Sequence, residues 1–364
     1  MAEIDRLLKF AVMKGASDLH LAAKTRPMLR VDGSMVPAKE SDTEPLTVQE
    51  MTQLVGEIMP PRAKEELQQN LDTDFAYAVP GMGRFRVNVF RNNLGVGAVL
   101  RHIPGEILTF EDLKLPKTLE QFCRLNKGLV LVTGPTGSGK STTLAAMVDY
   151  INRHRRDHVI TVEDPIEFVH EDKQCRISQR EVKEHAQSFK RALRAALRQD
   201  PDIVMVGEMR DLETTETAIE TAETGHLVFG TLHTSTAATT VDRIIDQFPH
   251  ERQEQIRTML AASLRGVICQ TLCKRKEGSG RIAALEIMVV THGIAANIRE
   301  GRTHQIVTSI QTGKSLGMRL LNDDLLRLVK DHSVDAEEAY NKAMDKTDMA
   351  NKLRTAGYSV GSGS

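Results

Sequence analysis

The fold is decided by the stretch Gly134-Pro135-Thr136-Gly137-Ser138-Gly139-Lys140-Ser141-Thr142. It fits G-x-x-x-x-G-K-[ST], the pattern of phosphate-binding loops. The apolar residues 129–132 before it predict a buried strand, and residues 141–152 after it predict a helix. In this order, glycine-rich backbone N–H groups and a helix N-terminus converge on a phosphate. A glycine-rich turn that binds nothing is the weaker interpretation, because both flanking elements are present.

The chemistry of this loop predicts a nucleotide cofactor, ATP with Mg²⁺. All nine residues, Gly134 to Thr142, are expected to line the nucleotide site. Lys140 is predicted to reach the β- and γ-phosphates, and the hydroxyl of Ser141 to bind Mg²⁺.

Length and composition restrict the function classes. The 364 residues are enough for two domains. A net charge of −1 and no tryptophan argue against a nucleic-acid partner. The sequence has neither an apolar stretch of membrane-spanning length nor a signal peptide at its start, so we expect a cytoplasmic protein that does not insert into the membrane. The four cysteines are expected to be buried thiols, with Cys269 and Cys273 on a helix.

The N-terminal part predicts an α+β domain. Strands are expected at 17–21 and 28–31, the latter paired with 34–36 through Asp32-Gly33, and Thr47 with Glu50 predicts a helix capping box. Further on, polar and apolar residues alternate, so that the polar side chains share one strand face: Arg84, Arg86 and Asn88, with Arg101 on the returning strand. A solvated face is the ordinary interpretation, and a phosphate-sensing surface is the alternative.

The second half alternates strands and helices, which predicts a mostly parallel sheet covered on both faces. Strands are expected at 159–162, 203–206 and 227–230, and one more at 282–287 in an otherwise helical remainder. Because ligands bind beyond the carboxyl ends of such strands, groups that follow the strands are candidates for the site.

Four groups follow these strands: the phosphate loop, Glu163-Asp164, Glu208 and His233. Glu208 is predicted to polarise the attacking water, with an ion pair to Arg210 as the alternative. Gly207 stands where an Asp is usual, so Mg²⁺ would depend on Ser141, waters and Glu163 or Asp164.

Two histidines complete the candidate site. His233 would sense the γ-phosphate or link Glu208 to a neighbour. His226, at the start of its strand, is interpreted equally well as a catalytic residue or as a core histidine.

These motifs resemble the Walker A, Asp, Walker B and His boxes of secretion ATPases, and within that superfamily the type IV pilus retraction ATPases of the PilT family. The matching stretches are the phosphate loop, residues 161–167, residues 206–211 and residues 224–234, with 17–21 and 83–88. The resemblance implies a PAS-like domain at 1–105 and a RecA-like ATPase domain with C-terminal helices at 117–350. Pro104-Gly105 and Pro116 predict a linker at 106–116 between them, and the Gly-Ser end of the chain predicts a disordered tail at 351–364.

The same resemblance implies a homohexameric ring that hydrolyses ATP to power pilus retraction and twitching motility. Arg84, Arg86 and Arg101 would lie near the phosphates of sites between domains or subunits. The implied partners are the inner-membrane platform protein at the pilus base, which would hold the motor at the membrane periphery, and paralogous pilus ATPases.

Alternative functions stay open. Pilus-extension and type II secretion ATPases share the boxes but usually carry long N-terminal extensions and a tetracysteine motif, both missing here. A nucleotide-gated scaffold with little turnover and a nucleic-acid translocase are alternatives from other classes, which phosphate release and DNA-stimulated turnover would distinguish.

One departure from the family concerns a C-terminal signature associated with retraction, Ala-Ile-Arg-Asn-Leu-Ile-Arg-Glu. Here residues 293–300 read Gly-Ile-Ala-Ala-Asn-Ile-Arg-Glu. Ala295, Ala296 and Asn297 therefore stand where the family has Arg, Asn and Leu, which suggests weaker coupling or an accessory paralogue.

Overall fold

A computed structural model describes residues 2–31, 33–38, 44–103, 105–278 and 280–359. The chain forms two compact units, Met1–Ile107 with Pro165–Val169, and Leu108–Asp164 with His170–Ser364. The residues expected to form a linker are divided between them, and Phe110 is buried in the second unit. No helix within the described ranges is long and apolar enough to cross a bilayer.

Within the described residues, the first unit contains one six-stranded antiparallel sheet and three helices. In chain order its elements are α1 (Ile4–Met13), β1 (Asp18–Ala22), β2 (Met28–Val31), β3 (Ser34–Pro37), α2 (Val48–Ile58), α3 (Pro61–Asn70), β4 (Asp72–Val79), β5 (Gly83–Asn92) and β6 (Gly95–Ile103). The strand order is β3-β2-β1-β6-β5-β4. The predicted β2–β3 pairing is confirmed, although Asp32 of its turn lies outside the described residues.

The predicted alternation along β5 is confirmed. Phe85, Val87 and Val89 are buried in the core against the helices. The capping box that begins α2 is also present. The Thr47 hydroxyl accepts a hydrogen bond from the Glu50 N–H, and the Glu50 carboxylate accepts one from the Thr47 N–H.

The second unit is built on a seven-stranded sheet. Its strands are β7 (Gly128–Thr133), β8 (His158–Glu163), β9 (Arg176–Glu181), β10 (Ile203–Val206), β11 (Leu227–Leu232), β12 (Leu264–Lys274) and β13 (Arg281–Val289). Its helices are α4 (Lys117–Cys123), α5 (Lys140–His154), α6 (Phe189–Ala196), α7 (Leu212–Glu223), α8 (Ala237–Asp246), α9 (His250–Ser263), α10 (His292–Arg299), α11 (Ile306–Thr312), α12 (Leu321–Lys330), α13 (Ala336–Lys342) and α14 (Lys346–Thr355).

This sheet has the order β13-β12-β7-β11-β10-β8-β9, and only β13 runs antiparallel to its neighbour. The predicted α/β class is therefore confirmed. Successive residues of β7 point to opposite faces, with Leu129 and Leu131 in one apolar cluster and Val130 and Val132 in another. Both faces are covered, which explains why the central strands are apolar throughout.

The prediction for the region around Cys269 and Cys273 was wrong. Both lie in β12, a buried strand parallel to β7, rather than on a helix. An apolar run of this kind fits either a buried strand or a buried helix by pattern alone, and pairing with β7 decides it here. All four cysteines are buried free thiols, as expected.

The expected disordered tail differs in part. Helix α14 continues to Thr355, and its side chains Met349 and Leu353 are fully buried in a cluster with α12 and α13. The final Val360 to Ser364 lie outside the described residues.

Glu286 of β13 connects two helices from inside the second unit. Its side chain is 5% exposed. One carboxylate oxygen accepts from the Ala237 N–H at the start of α8 (2.8 Å), and the other from the Leu321 N–H at the start of α12 (3.4 Å). Burial raises the pKa of this carboxyl, although the two backbone donors oppose that effect. Helix N-termini favour an anion, so one side chain satisfies two helix ends.

We therefore expect Glu286→Ala to lower the free energy of unfolding by roughly 2–3 kcal/mol, because two buried N–H groups lose their acceptor. Urea unfolding followed by circular dichroism measures the loss. The control is Glu338→Ala, which removes a partly exposed carboxylate from the N–H of Lys274 on the neighbouring strand and should cost less than about 1 kcal/mol. Equal losses in the two variants would contradict the role of burial.

Candidate functional site

The predicted convergence of strand ends is present in the second unit. Strands β8, β10, β11 and β7 are parallel neighbours, so their carboxyl ends lie at one edge of the sheet. The segments that follow them contain the phosphate loop, Asp164, Glu208 and His233. The fold thus brings together groups that are up to 99 positions apart in the sequence, from Gly134 to His233.

The glycines of the phosphate loop have backbone conformations that other residues rarely adopt. Gly134, Gly137 and Gly139 have φ of 141°, 78° and 87°. A Cβ at Gly134 would lie 2.2 Å from the backbone oxygen of Gln270, and one at Gly139 would lie 2.7 Å from the Gln270 Nε2. Two of the three glycines are therefore required by close packing as well as by backbone conformation.

The two chemically active side chains of the loop begin α5. The Lys140 Nζ donates to the carbonyl oxygens of Gly134 (2.8 Å) and Pro135 (3.1 Å), so the ammonium group lies across the mouth of the loop. Ser141, in the first turn of α5, is exposed. A phosphate oxygen can replace the carbonyl oxygens as the acceptor for Lys140, since both are oxygen acceptors for the same ammonium group.

The residues at the edge fit Mg²⁺ held jointly with a nucleotide. Ser141 and Asp164 are exposed, and Glu163 is buried. No cluster of three or more His, Cys, Asp or Glu within the described part of the chain could hold a metal alone. Mg²⁺ commonly takes one or two protein ligands together with phosphate oxygens and waters, which is the donor set available here.

Glu163 is fixed at the end of β8. Its Oε1 accepts from the Thr161 hydroxyl (2.6 Å) and from the Gln179 Nε2 (3.1 Å). The backbone around Gly207, which stands in place of the usual Asp, is closely packed. A Cβ at Gly207 would lie 3.1 Å from the Val162 carbonyl oxygen and 3.2 Å from the Glu163 Cα, so a side chain there would require a small shift of the end of β8.

Glu208 has two cationic or polar partners. Its Oε1 lies 2.6 Å from the Arg210 Nε and 2.7 Å from the His233 Nε2. Partial burial raises the pKa of Glu208, but the hydrogen bonds from Arg210 and His233 outweigh it and hold the pKa below its ordinary value. The carboxylate is therefore ionised at neutral pH and can accept a hydrogen bond from a water molecule. The ion pair with Arg210 that the sequence left as an alternative is present. His233 bonds to Glu208, and its two predicted roles, sensing the γ-phosphate or linking Glu208 to a neighbour, stay predictions.

His226 does not join these groups within the chain. It directly precedes β11, whereas the candidate residues follow the strand ends, so the length of β11 separates it from them by about 20 Å. Its Nδ1 is 3.2 Å from the Thr221 carbonyl oxygen. His226 is half-buried and bonded to its own helix end, and its catalytic role stays a prediction.

The three candidate arginines lie on one face of the sheet in the first unit. Arg86 is paired with Arg101 across β5 and β6, and Arg84 is two positions from Arg86 on the same strand. The Arg101 Nε donates to Asp18 Oδ1 (2.8 Å), and Asp18 is 4% exposed. Arg101 is thus held by a structural ion pair in this unit, and the phosphate-sensing role of the three arginines stays a prediction.

Sequence reasoning missed Gln270 of β12, which is 4% exposed. Its Nε2 donates to the Ser138 carbonyl oxygen (2.7 Å) inside the phosphate loop, and its Oε1 accepts from the Thr143 hydroxyl (2.7 Å). A single amide within an apolar run was the available signal. It went unused because this run was predicted to be helical.

Comparison with known proteins extends over most of the chain. Residues 1–339 match the family described as type II/IV secretion system protein. The chain is 51% identical over 341 residues to the type IV pilus retraction ATPase PilT of Pseudomonas aeruginosa, covering 94% of this chain and 98% of that relative. It is 44% identical over 344 residues to the twitching motility protein of Neisseria gonorrhoeae, covering 94% and 91%. The type IV pilus ATPase PilU of P. aeruginosa is 37% identical over 352 residues, covering 97% and 90%.

Solved structures show the same similarity. The crystal structure of the pilus retraction motor PilT with bound ADP superposes with a TM-score of 0.87 at 42% identity, covering 96% of this chain and 99% of that one. The ATPase DotB of Legionella pneumophila superposes with a TM-score of 0.78 at 28% identity, covering 97% and 95%. The likeness spans nearly the whole of each chain.

Two glycines of the loop give a matched test of its packing. Gly134→Ala should lower the free energy of unfolding of the nucleotide-free protein by at least about 3 kcal/mol, because its Cβ would meet a backbone oxygen. Gly137→Ala should cost about 1 kcal/mol, because the backbone there is left-handed but nothing lies within 4 Å of the new Cβ. Denaturant unfolding measures both, and equal costs would show that the contact with β12 is dispensable.

Proposed function

Because the chain belongs to the type II/IV secretion system protein family, we propose that it is an ATPase that powers the retraction of type IV pili. The observation that carries this proposal is the meeting of the phosphate loop and the Glu208–His233 pair at one sheet edge, in a chain half identical to a retraction ATPase over nearly its full length. Neither half of this observation would be sufficient alone, since phosphate loops occur in many enzymes.

The hydrolysis step follows from the residues at the edge. The N–H groups of the loop and the start of α5 bind the phosphates, and Lys140 exchanges its two carbonyl acceptors for phosphate oxygens. Ser141, with Glu163 or Asp164 nearby, would hold Mg²⁺, which would supply positive charge to the phosphate oxygens when bound. Glu208 accepts a hydrogen bond from the attacking water and orients it. His233 and Arg210 keep Glu208 ionised before the reaction.

Turnover tests this assignment. Glu208→Gln should retain ATP binding and lose 10²–10⁴-fold in turnover, because it removes the charge that orients water but leaves the phosphate cradle unchanged. Lys140→Ala should weaken both binding and turnover. Steady-state phosphate release and equilibrium nucleotide binding measure the two effects. Turnover near the wild-type rate in Glu208→Gln would remove Glu208 from the mechanism, and negligible turnover by the wild type would favour the nucleotide-gated scaffold.

The assembly proposed is a homohexameric ring with sites completed by neighbouring domains or subunits. Support comes from the position of Arg84 and Arg86 on the same strand face of the unit that lacks the phosphate loop. Arg86 is the preferred candidate, since Arg101 is already paired with Asp18. Such an arrangement would make turnover per subunit depend on protein concentration.

Partners and location follow from the proposed activity. A retraction motor acts on the pilus base from the cytoplasmic side, so the proposed partner is the inner-membrane platform protein, and the protein would be peripheral to that membrane. Cooperation with a paralogous pilus ATPase is a related proposal, because PilU-type ATPases are themselves similar to this chain. A nucleic-acid partner is not proposed.

The altered signature favours a second candidate, an accessory retraction ATPase. In α10, Ile294 and Ile298 are fully buried and Asn297 is 8% exposed. An amide therefore occupies a buried position where the family's signature has Leu, and Ala295 stands where it has a cation. Such a change alters packing and charge on this helix without reaching the phosphate loop, so it would affect coupling rather than hydrolysis.

Pilus retraction in cells that lack their own retraction motor decides between the two candidates. The comparison is between this chain and the triple variant Ala295→Arg, Ala296→Asn, Asn297→Leu. The accessory candidate predicts equal ATP turnover in vitro and strong retraction only in the triple variant, because the restored Leu and Arg would rebuild the packing and charge of α10. Full retraction by the unmodified chain would show that it is the principal motor. No retraction by either protein would contradict the proposed function.

A further inference from the structure

We propose that Gln270 is a positioning residue for nucleotide binding, which holds the phosphate loop from the neighbouring strand β12. This inference rests on the proposed function, since it concerns the same nucleotide site. Gln270 lies directly after Cys269, which is paired with Thr133, the last residue of β7 before the loop. The register of two parallel strands thus places its amide beneath the loop.

The hydrogen bond to Ser138 fixes the direction of one peptide group. The carbonyl oxygen of Ser138 accepts from the Gln270 Nε2 at 2.7 Å, so it points towards β12. In a trans peptide the C=O and the following N–H point in opposite directions. The N–H of Gly139 is therefore directed away from β12, towards the hollow of the loop. No acceptor within the described residues takes this N–H, which leaves it for a phosphate oxygen.

The amide of Gln270 is itself fixed in orientation. The Thr143 hydroxyl, in the first turns of α5, donates to its Oε1 at 2.7 Å, which leaves the NH₂ group as the end that faces Ser138. One amide therefore connects the loop, β12 and α5. Acceptor and donor are both used, as a buried amide requires.

Close packing of β12 against the phosphate loop also holds the loop in place. The Gln270 backbone oxygen lies 2.2 Å from a Cβ built at Gly134, and Leu272, two residues further along β12, lies 3.5 Å from one built at Gly139. β12 therefore packs against both ends of the phosphate loop. Of these contacts, only the Gln270 amide bonds to the loop in a direction-dependent way.

The experiment compares ADP binding by the full-length protein and two variants. Gln270→Met keeps the side-chain size and removes the donor, and it should weaken ADP binding roughly tenfold. Gln270→Glu also removes the donor and adds a negative charge below the phosphates, so it should weaken ADP binding more than Gln270→Met. Calorimetric titration with ADP gives the dissociation constants.

Thermal unfolding with and without saturating ADP separates positioning from stability. A purely structural role lowers both midpoints equally, whereas a positioning role reduces the increase that ADP produces. The control is Gln253→Met on α9, where a half-buried amide donates to the Phe248 carbonyl oxygen (3.2 Å) away from the loop, and ADP affinity should be unchanged.

Four outcomes would contradict one of the two proposals. Wild-type affinity for ADP in Gln270→Met, equal weakening in Gln253→Met, or failure of both Gln270 variants to fold would overturn the positioning role. Failure of the wild-type protein to bind ADP would instead contradict the proposed function.

Discussion

The structure of the second unit depends on the parallel alignment of β8, β10, β11 and β7. Parallel strands share the direction of their carboxyl ends, so every segment that follows a strand begins at the same edge. The buried faces of these strands supply the apolar contacts that keep the edge rigid. A rigid edge matters because hydrolysis requires the base and the phosphate cradle to keep a fixed separation.

The chemistry at this edge is set by close backbone approach as much as by charge. Gly207 lets β10 lie against the end of β8, and Glu208 then enters between Arg210 and His233. A side chain at position 207 would require a small shift of the end of β8. With glycine there, the proposed metal would depend on Ser141 and the end of β8, and the proposed role of Glu208 in orienting water does not involve position 207.

The sequence was sufficient for the parts of the fold that depend on local pattern. Residues 129–132 and 203–206 are continuous apolar runs that predict buried strands, and the spacing of the glycines predicts the phosphate-binding loop. It failed at β12, because an apolar run with one Gln and one Thr has no periodicity that separates a buried strand from a buried helix. Partners could not be predicted either. His233 bonds to Glu208 and Gln270 bonds to Ser138 because their strands are neighbours in the sheet. The order of strands in a sheet cannot be predicted from the sequence of any single strand.

The burial of all four cysteines has a practical consequence for studying motion. Burial raises the pKa of each thiol, in the case of Cys273 to about 12. The thiolate is the species that reacts with maleimide and iodoacetamide reagents, so the native cysteines are scarcely nucleophilic at neutral pH. A cysteine introduced at an exposed position, such as Lys330 on α12, would react far ahead of them. Fluorescent or spin probes can therefore be attached at chosen sites in the otherwise unaltered protein.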